Sequence, residues 1–302
     1  MKTLLACMRK RARRRESIVA AFFNAFRRRF VSLYFVLAGF GCLAGVTTVL
    51  FGFGGGFVVV PLLYRALIAA HGADSAVGRS AMHIAVATST CVMIVGALLA
   101  TRRHQRAGTL DWAQVRPLLG FIGIGAVVGA AAAVSADGEF VRWAFVAYLA
   151  ATILDCLIRP GFLTRVAPAA VRPPSRTATA FGSVVIGLVA SFLGVGGSVM
   201  TVPLMRRRGI DMTRATAMAN PLSLPIALAG TATYMALAWR STSSLEGWHV
   251  GYVDVPAFGA LVVGSLVGIR VAAPLIGRIP DRVHTWVYLA LLLAVLAGMA
   301  LR

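Results

Sequence analysis

Acidic residues are scarce in this sequence, with ten Asp and Glu against thirty Lys and Arg in 302 residues and a formal charge of +20. Lysine is scarcer still, present only as Lys2 and Lys10, so nearly all the positive charge is arginine. Charged residues make up 13% of the chain, about half the share usual in soluble domains, while 59% are hydrophobic. A soluble fold of this length needs more polar cover than that. The four cysteines (Cys7, Cys42, Cys91, Cys156) are dispersed, form no CxxC pair, and read as small buried hydrophobes. No spacing of His, Cys, Asp and Glu suggests a metal site, and no carboxylate pair or Ser-His-Asp pattern suggests catalysis. The expectation is therefore a protein that is not an enzyme and holds neither metal nor cofactor.

What the chain has instead is long apolar runs: Val31–Phe51, Ala81–Ala100, Pro117–Val134, Phe140–Ile158, Ala257–Leu275 and Val283–Leu301. Each is about 18–21 residues, enough for a helix to cross a hydrocarbon core of about 30 Å. The arginines occupy the tail and the loops between these runs, where they would face anionic lipid headgroups; no nucleic-acid partner is expected. The fold class expected is an all-α polytopic transmembrane bundle of about eight spans.

Residues 1–30 form a basic tail, with Arg9–Arg15 at its start and Arg27, Arg28 and Arg29 at its end. It has no small-residue cleavage site and reads as an amphipathic helix on the membrane surface. Arg159–Arg176 contains Pro160, Pro168, Pro173 and Pro174 and no acid, and reads as a polar linker over 159–177. It separates a first membrane unit, 31–158, from a second, 178–302.

The two units share a motif. Gly52-Phe53-Gly54-Gly55-Gly56 is followed by Pro61-Leu62, and Gly194-Val195-Gly196-Gly197-Ser198 by Pro203-Leu204 at the same spacing. Ser80-Ala81-Met82 and Thr216-Ala217-Met218 match further on. Duplication accounts for this, giving two repeats of four helices each. Consecutive glycines disfavour helix by about 1 kcal/mol each, and broken backbone in a bilayer is tolerated where it is packed in protein or lines a cavity. Paired breaks in two halves point to a central site of discontinuous helices. A helix restarting at about Phe57 and another at about Val199 would aim free N–H groups and a positive dipole end at that site, which favours an anion. The alternative is that the glycines only let helices pack closely.

These motifs resemble the paired signatures of the TauE/SafE sulfite exporter family, and the resemblance covers roughly Val31 to Leu301. It implies an inner-membrane transporter of sulfite, organosulfonates or related sulfur-containing anions, with export by alternating access; another small organic anion, uptake, or a non-transporting assembly factor are the alternatives. The family often has Gly-Thr-Ser after the first hairpin, where this chain reads Gly78-Arg79-Ser80, and Ala215-Thr216-Ala217 in the second copy.

The substrate-binding candidates are Gly52, Gly54, Gly55, Gly56, Pro61, Arg79, Ser80, Gly194, Gly196, Gly197, Ser198, Pro203, Thr216 and Asn220. Asn220-Pro221 and Ser223-Leu224-Pro225 are expected to break their helix. His83, in an apolar run, is the candidate for proton coupling, with a neutral histidine bonded to a backbone carbonyl as the plain alternative. Asp155, four residues before Arg159, reads as one partner of a helix-surface ion pair. Loop charge places the N-terminus and the linker together inside if each glycine segment crosses once; the basic stretch Arg206–Arg214 then falls outside, unless the segment at Gly194 is re-entrant.

Overall fold

The structure is a computed structural model that describes residues 34–159, 161–163, 176–238 and 248–301. The basic tail and most of the linker lie outside the described residues. The helices are α1 (Tyr34–Phe51), α2 (Gly56–His71), the short α3 (Ala76–Arg79), α4 (Ala81–Arg106), α5 (Trp112–Ser135), α6 (Gly138–Ile158), α7 (Arg176–Leu193), α8 (Ser198–Arg207), α9 (Met212–Ala238), α10 (Val255–Ala272) and α11 (Asp281–Ala300). Seven of the helices among the described residues are long and apolar enough to cross a membrane. The chain is a polytopic helical bundle. The sequence pattern did not anticipate a two-stranded ribbon, β1 (His249–Val250) against β2 (Val253–Asp254), closed by Gly251 at φ 59°.

Carboxylates mark where helices begin. Asp111, Asp137 and Asp254 each accept a bond from a backbone N–H in the first turn of α5, α6 and α10, supplying a partner that the helix itself lacks. The prolines of α9 do not end it. Pro221 and Pro225 sit inside an unbroken helix, contrary to the expected break. Beside the prolines, side chains bond back one turn within the helix, Asn220 Nδ2 donating to Thr216 O at 3.3 Å and Ser223 Oγ to Ala219 O at 3.0 Å. Proline is tolerated in a membrane helix that is packed inside protein, and α9 is buried along most of its length around both prolines.

Packing between helices relies on small residues. On α1 a side chain at Gly41 or Gly45 would strike Leu261 O or Ser265 O of α10, and one at Gly264 or Gly268 of α10 would strike Ala38 O or Cys42 O. Likewise Gly125 and Gly129 of α5 face Val184 O and Leu188 O of α7, while Gly187 of α7 faces Ile122 O. Residue numbers rise together in both pairs, so α1 runs parallel to α10 and α5 parallel to α7. Close backbone approach over small residues is how helices associate where lipid removes the usual apolar driving force. Phe121, Ile124, Val128, Trp143, Phe181, Val267 and Trp286 stay exposed on the outside of the bundle, an apolar surface suited to lipid.

The bundle has two distinguishable ends. At the arginine-rich end, His104 Nε2 lies 2.7 Å from Val49 O, and Arg206 pairs with Asp281 at 3.0 Å. At the ribbon end, Asp254 N donates to Thr88 Oγ1 at 3.0 Å, and Tyr34 feels the charge of Asp254. Helix α1 therefore starts at the ribbon end and stops near the arginine-rich end. Helix α2 turns back to the ribbon end, where Arg65 donates to Gly298 O at 2.9 Å and to Leu301 O. Helices α7 and α8 make the opposite excursion. They leave from and return to the arginine-rich end, where Arg207 pairs with Asp155 at the close of α6. The start of α1 and the flanks of the linker thus lie at opposite ends, not together as the single-crossing assumption required. The reason is local: each glycine break reverses the chain.

Candidate functional site

The site is built on those reversals. Gly52, Gly54 and Gly55 have φ of 74°, 66° and 91°, and Gly194 has φ of 69°, values that a side chain disfavours by about 1–2 kcal/mol. They turn the chain so that α2 starts at Gly56 and α8 at Ser198, neither start having a side-chain cap. The two breaks touch. A Cβ on Gly56 would lie 2.5 Å from Gly194 O, and one on Gly196 would lie 2.9 Å from Phe53 O. Because α2 runs towards the ribbon end and α8 towards the arginine-rich end, their positive ends meet inside the bundle. Phe53 stacks on Phe57 at 4.4 Å and on Tyr288 at 4.9 Å, and Tyr288 OH donates to Ser198 O at 3.2 Å.

Helices α4 and α9 flank the breaks with hydroxyls. Ser89 Oγ lies 2.9 Å from Gly194 O, and Ser223 Oγ would lie 2.8 Å from a Cβ on Gly196. Buried Ser198 Oγ, Thr201 Oγ1, Ser191 Oγ, Ser265 Oγ and Asn220 Oδ1 have no hydrogen-bond partner among the described residues. Every described carboxylate lies in a loop or at a helix end. The centre therefore offers backbone N–H groups and hydroxyls and no negative charge.

The structure brings together Gly52, Gly54, Gly55, Gly56, Gly194, Gly196, Gly197 and Ser198. Asn220 is fully buried on α9 beside them, and Thr216 O lies 2.7 Å from a Cβ placed on Gly52. Pro61 and Pro203 are buried in the second turns of α2 and α8. Arg79, Ser80 and His83 lie elsewhere. Arg79 is exposed on α3 and donates to Asp74 O at 2.5 Å. Ser80 stands just before α4, its side chain making no capping bond. His83 Nε2 lies 3.1 and 3.0 Å from Ala133 O and Ala136 O, and its ring stacks on Tyr252 at 5.3 Å, at the ribbon end. Thr47 and Thr48 bond their own helix at Ala44 O. Asp155 pairs with Arg159 at 3.2 Å and also with Arg207.

Two histidines escaped the sequence reading. His104 Nε2 and His284 Nε2 each lie 2.7 Å from the last carbonyls of α1, Val49 O and Leu50 O. These carbonyls have no partner within their own helix, so the pair braces α1 where the first break begins. Each histidine follows or precedes arginines at the margin of an apolar run, a context that reads as headgroup contact. Arg206 escaped too. It is 2% exposed, and donates to Asp281 and to Phe162 O at 3.1 Å.

A sequence profile described as Sulfite exporter TauE/SafE matches residues 37–299, a stretch that takes in both breaks. The chain belongs to this family. A TauE/SafE assignment agrees with its similarity to a probable membrane transporter protein of Haemophilus influenzae, 25% identical over 243 residues, covering 80% of this chain and 88% of that one. A probable membrane transporter protein of Methanocaldococcus jannaschii is 21% identical over 220 residues, covering 72% of this chain and 76% of the other. No solved structure matches the chain.

Proposed function

We propose that this membrane transporter carries a small sulfur-containing anion, sulfite or an organosulfonate, across a bacterial inner membrane by alternating access. The observation that supports the reading best is the meeting of two uncapped helix starts in a buried centre lined by unpartnered hydroxyls. Helix starts supply N–H donors and positive potential, and hydroxyls can bond the oxygens of such an anion. A cation carrier would want intramembrane carboxylates, and the described carboxylates stand at helix ends or in loops.

The two hairpins, α1–α2 and α7–α8, enter from opposite ends. Arg65 and Arg207, each four residues beyond the proline of its half-helix, reach the closing turns of α11 and α6 respectively. We read this as two repeats of inverted direction, which supplies two related arrangements of one site. Export of an anion from a cell that is negative inside is favoured by about 2.3 kcal/mol per charge per 100 mV, so outward movement needs no coupling ion.

The test is efflux of sulfite from proteoliposomes containing the purified protein. Efflux above that of empty liposomes, and lost in Gly196→Leu, is the expected result. No efflux would remove sulfite and turn the search to larger sulfonates and to carboxylates.

A further inference from the structure

Three consecutive arginines close α8, and they go three ways. Arg206 is buried against Asp281, Thr285 and Phe162 O. Arg207 holds Asp155. The side chain of Arg208 has no hydrogen-bond or ion-pair partner among the described residues; it borders a cavity of about 630 Å³ at the arginine-rich end, together with Thr109, Trp112, Asp211, Arg214 and Met218. Partial burial lowers the pKa of Arg208 from its ordinary value, yet arginine keeps its charge at any physiological pH. A partly buried cation with no ion-pair partner is stabilised by an incoming anion.

The two carboxylates at the cavity are already engaged. Asp111 accepts from Ala113 N at 3.0 Å and from Gln114 Nε2 at 2.9 Å. Asp211 accepts from Arg214 N at 2.9 Å and lies 3.7 Å from Arg214 Nε. The starts of α5 and α9 open onto the same space, each already capped by its own carboxylate, which leaves Arg208 as the unpaired charge. The cavity lies close to the first break. Its wall residue Met218 adjoins Ala219, whose Cβ lies 3.1 Å from a Cβ placed on Gly52. One layer of α9 separates it from the first glycine break.

We infer that this cavity is the mouth through which a small oxyanion reaches the glycine breaks, with Arg208 as the group that binds it there. The inference rests on the anion-carrier reading and assigns it a second, peripheral subsite. It gives Arg208 the role that sequence reasoning offered to Arg79, which lies at the ribbon end and is bonded to Asp74 O.

Trp112, in the cavity wall, provides a readout independent of transport. Sulfite is titrated into the purified protein in detergent, with chloride at equal ionic strength as control and Trp112→Phe to isolate that indole's signal. A saturable, Trp112-dependent fluorescence change is expected with sulfite and not with chloride. Arg208→Gln should weaken it roughly tenfold, as for loss of one charge-assisted hydrogen bond, and Arg208→Lys should restore part of it. In proteoliposomes Arg208→Gln should raise the KM for sulfite efflux and leave the maximal rate within about twofold. No Trp112-dependent change, or equal affinity in wild type and Arg208→Gln, overturns the mouth. Efflux without the Trp112 signal overturns the mouth alone, whereas the signal without efflux by the wild type keeps the oxyanion subsite and rejects sulfite transport.

Discussion

At the scale of single residues, the glycines of the breaks are not interchangeable, and the differences are measurable. Gly55 has room for a methyl group, since the nearest atom to an added Cβ is Thr48 Oγ1 at 3.5 Å, but its φ is 91°. Gly55→Ala should therefore cost about 1–2 kcal/mol through backbone strain and leave transport reduced but present. Gly196 meets the reverse condition, a negative φ with Phe53 O only 2.9 Å from an added Cβ. Gly196→Ala should push the two breaks apart and abolish transport while the protein still inserts, as read by efflux and membrane fractionation. If Gly196→Ala transports normally, the contact between the breaks is not where the substrate is handled. The bracing histidines act on stability instead. His104→Ala or His284→Ala strands a carbonyl of α1 and should cost about 1–3 kcal/mol each, seen as a lower Tm in detergent. His104→Gln, whose amide N–H can reach Val49 O, should recover part of the loss.

At the scale of elements, the breaks were legible because clustered glycines report backbone directly. Gly-x-Gly-Gly disfavours a regular helix, and the restart points at Gly56 and Ser198 follow from it within a residue. The partners of each element were not legible. Gly41, Gly45, Gly264 and Gly268 look like any small residues in apolar runs, and their value appears only when α1 lies against α10. The same holds for Arg206, whose burial depends on Asp281 far along the chain. Proline misled in α9, because its effect on a helix is decided by the packing around it, and a sequence does not state that. The glycine interface between α5 and α7 provides the test at this scale. Gly187→Leu would drive a side chain into Ile122 O and Ala126 N, and should destabilise the protein by at least about 1–3 kcal/mol. Gly182→Leu, on the same helix with open space around it, should be silent in the same thermal assay.

At the scale of the whole molecule, the two ends differ enough in charge to orient the protein. Arg102, Arg103, Arg106, Arg116, Arg159, Arg214, Arg270, Arg278 and Arg282 all stand at one end. The ribbon end presents Asp74, Asp137, Glu139 and Asp254, and of its arginines Arg142 is buried against Glu139 and Met299 O. Short loops rich in arginine stay in the cytoplasm, so the arginine-rich end should be cytoplasmic. The consequence is that α1 begins on the outer side, and Arg27, Arg28 and Arg29 just before it pull the other way. Arginines within the folded bundle are the more numerous, and they border several loops in place of one. In a cysteine-free background, Ala107→Cys should react with a membrane-impermeant maleimide only after permeabilisation, and Ser135→Cys in intact cells. The reverse pattern would show that the basic tail dominates, placing the Arg208 cavity on the outer face. An exporter would then release its anion there, so the same labelling decides whether that cavity loads or discharges the substrate.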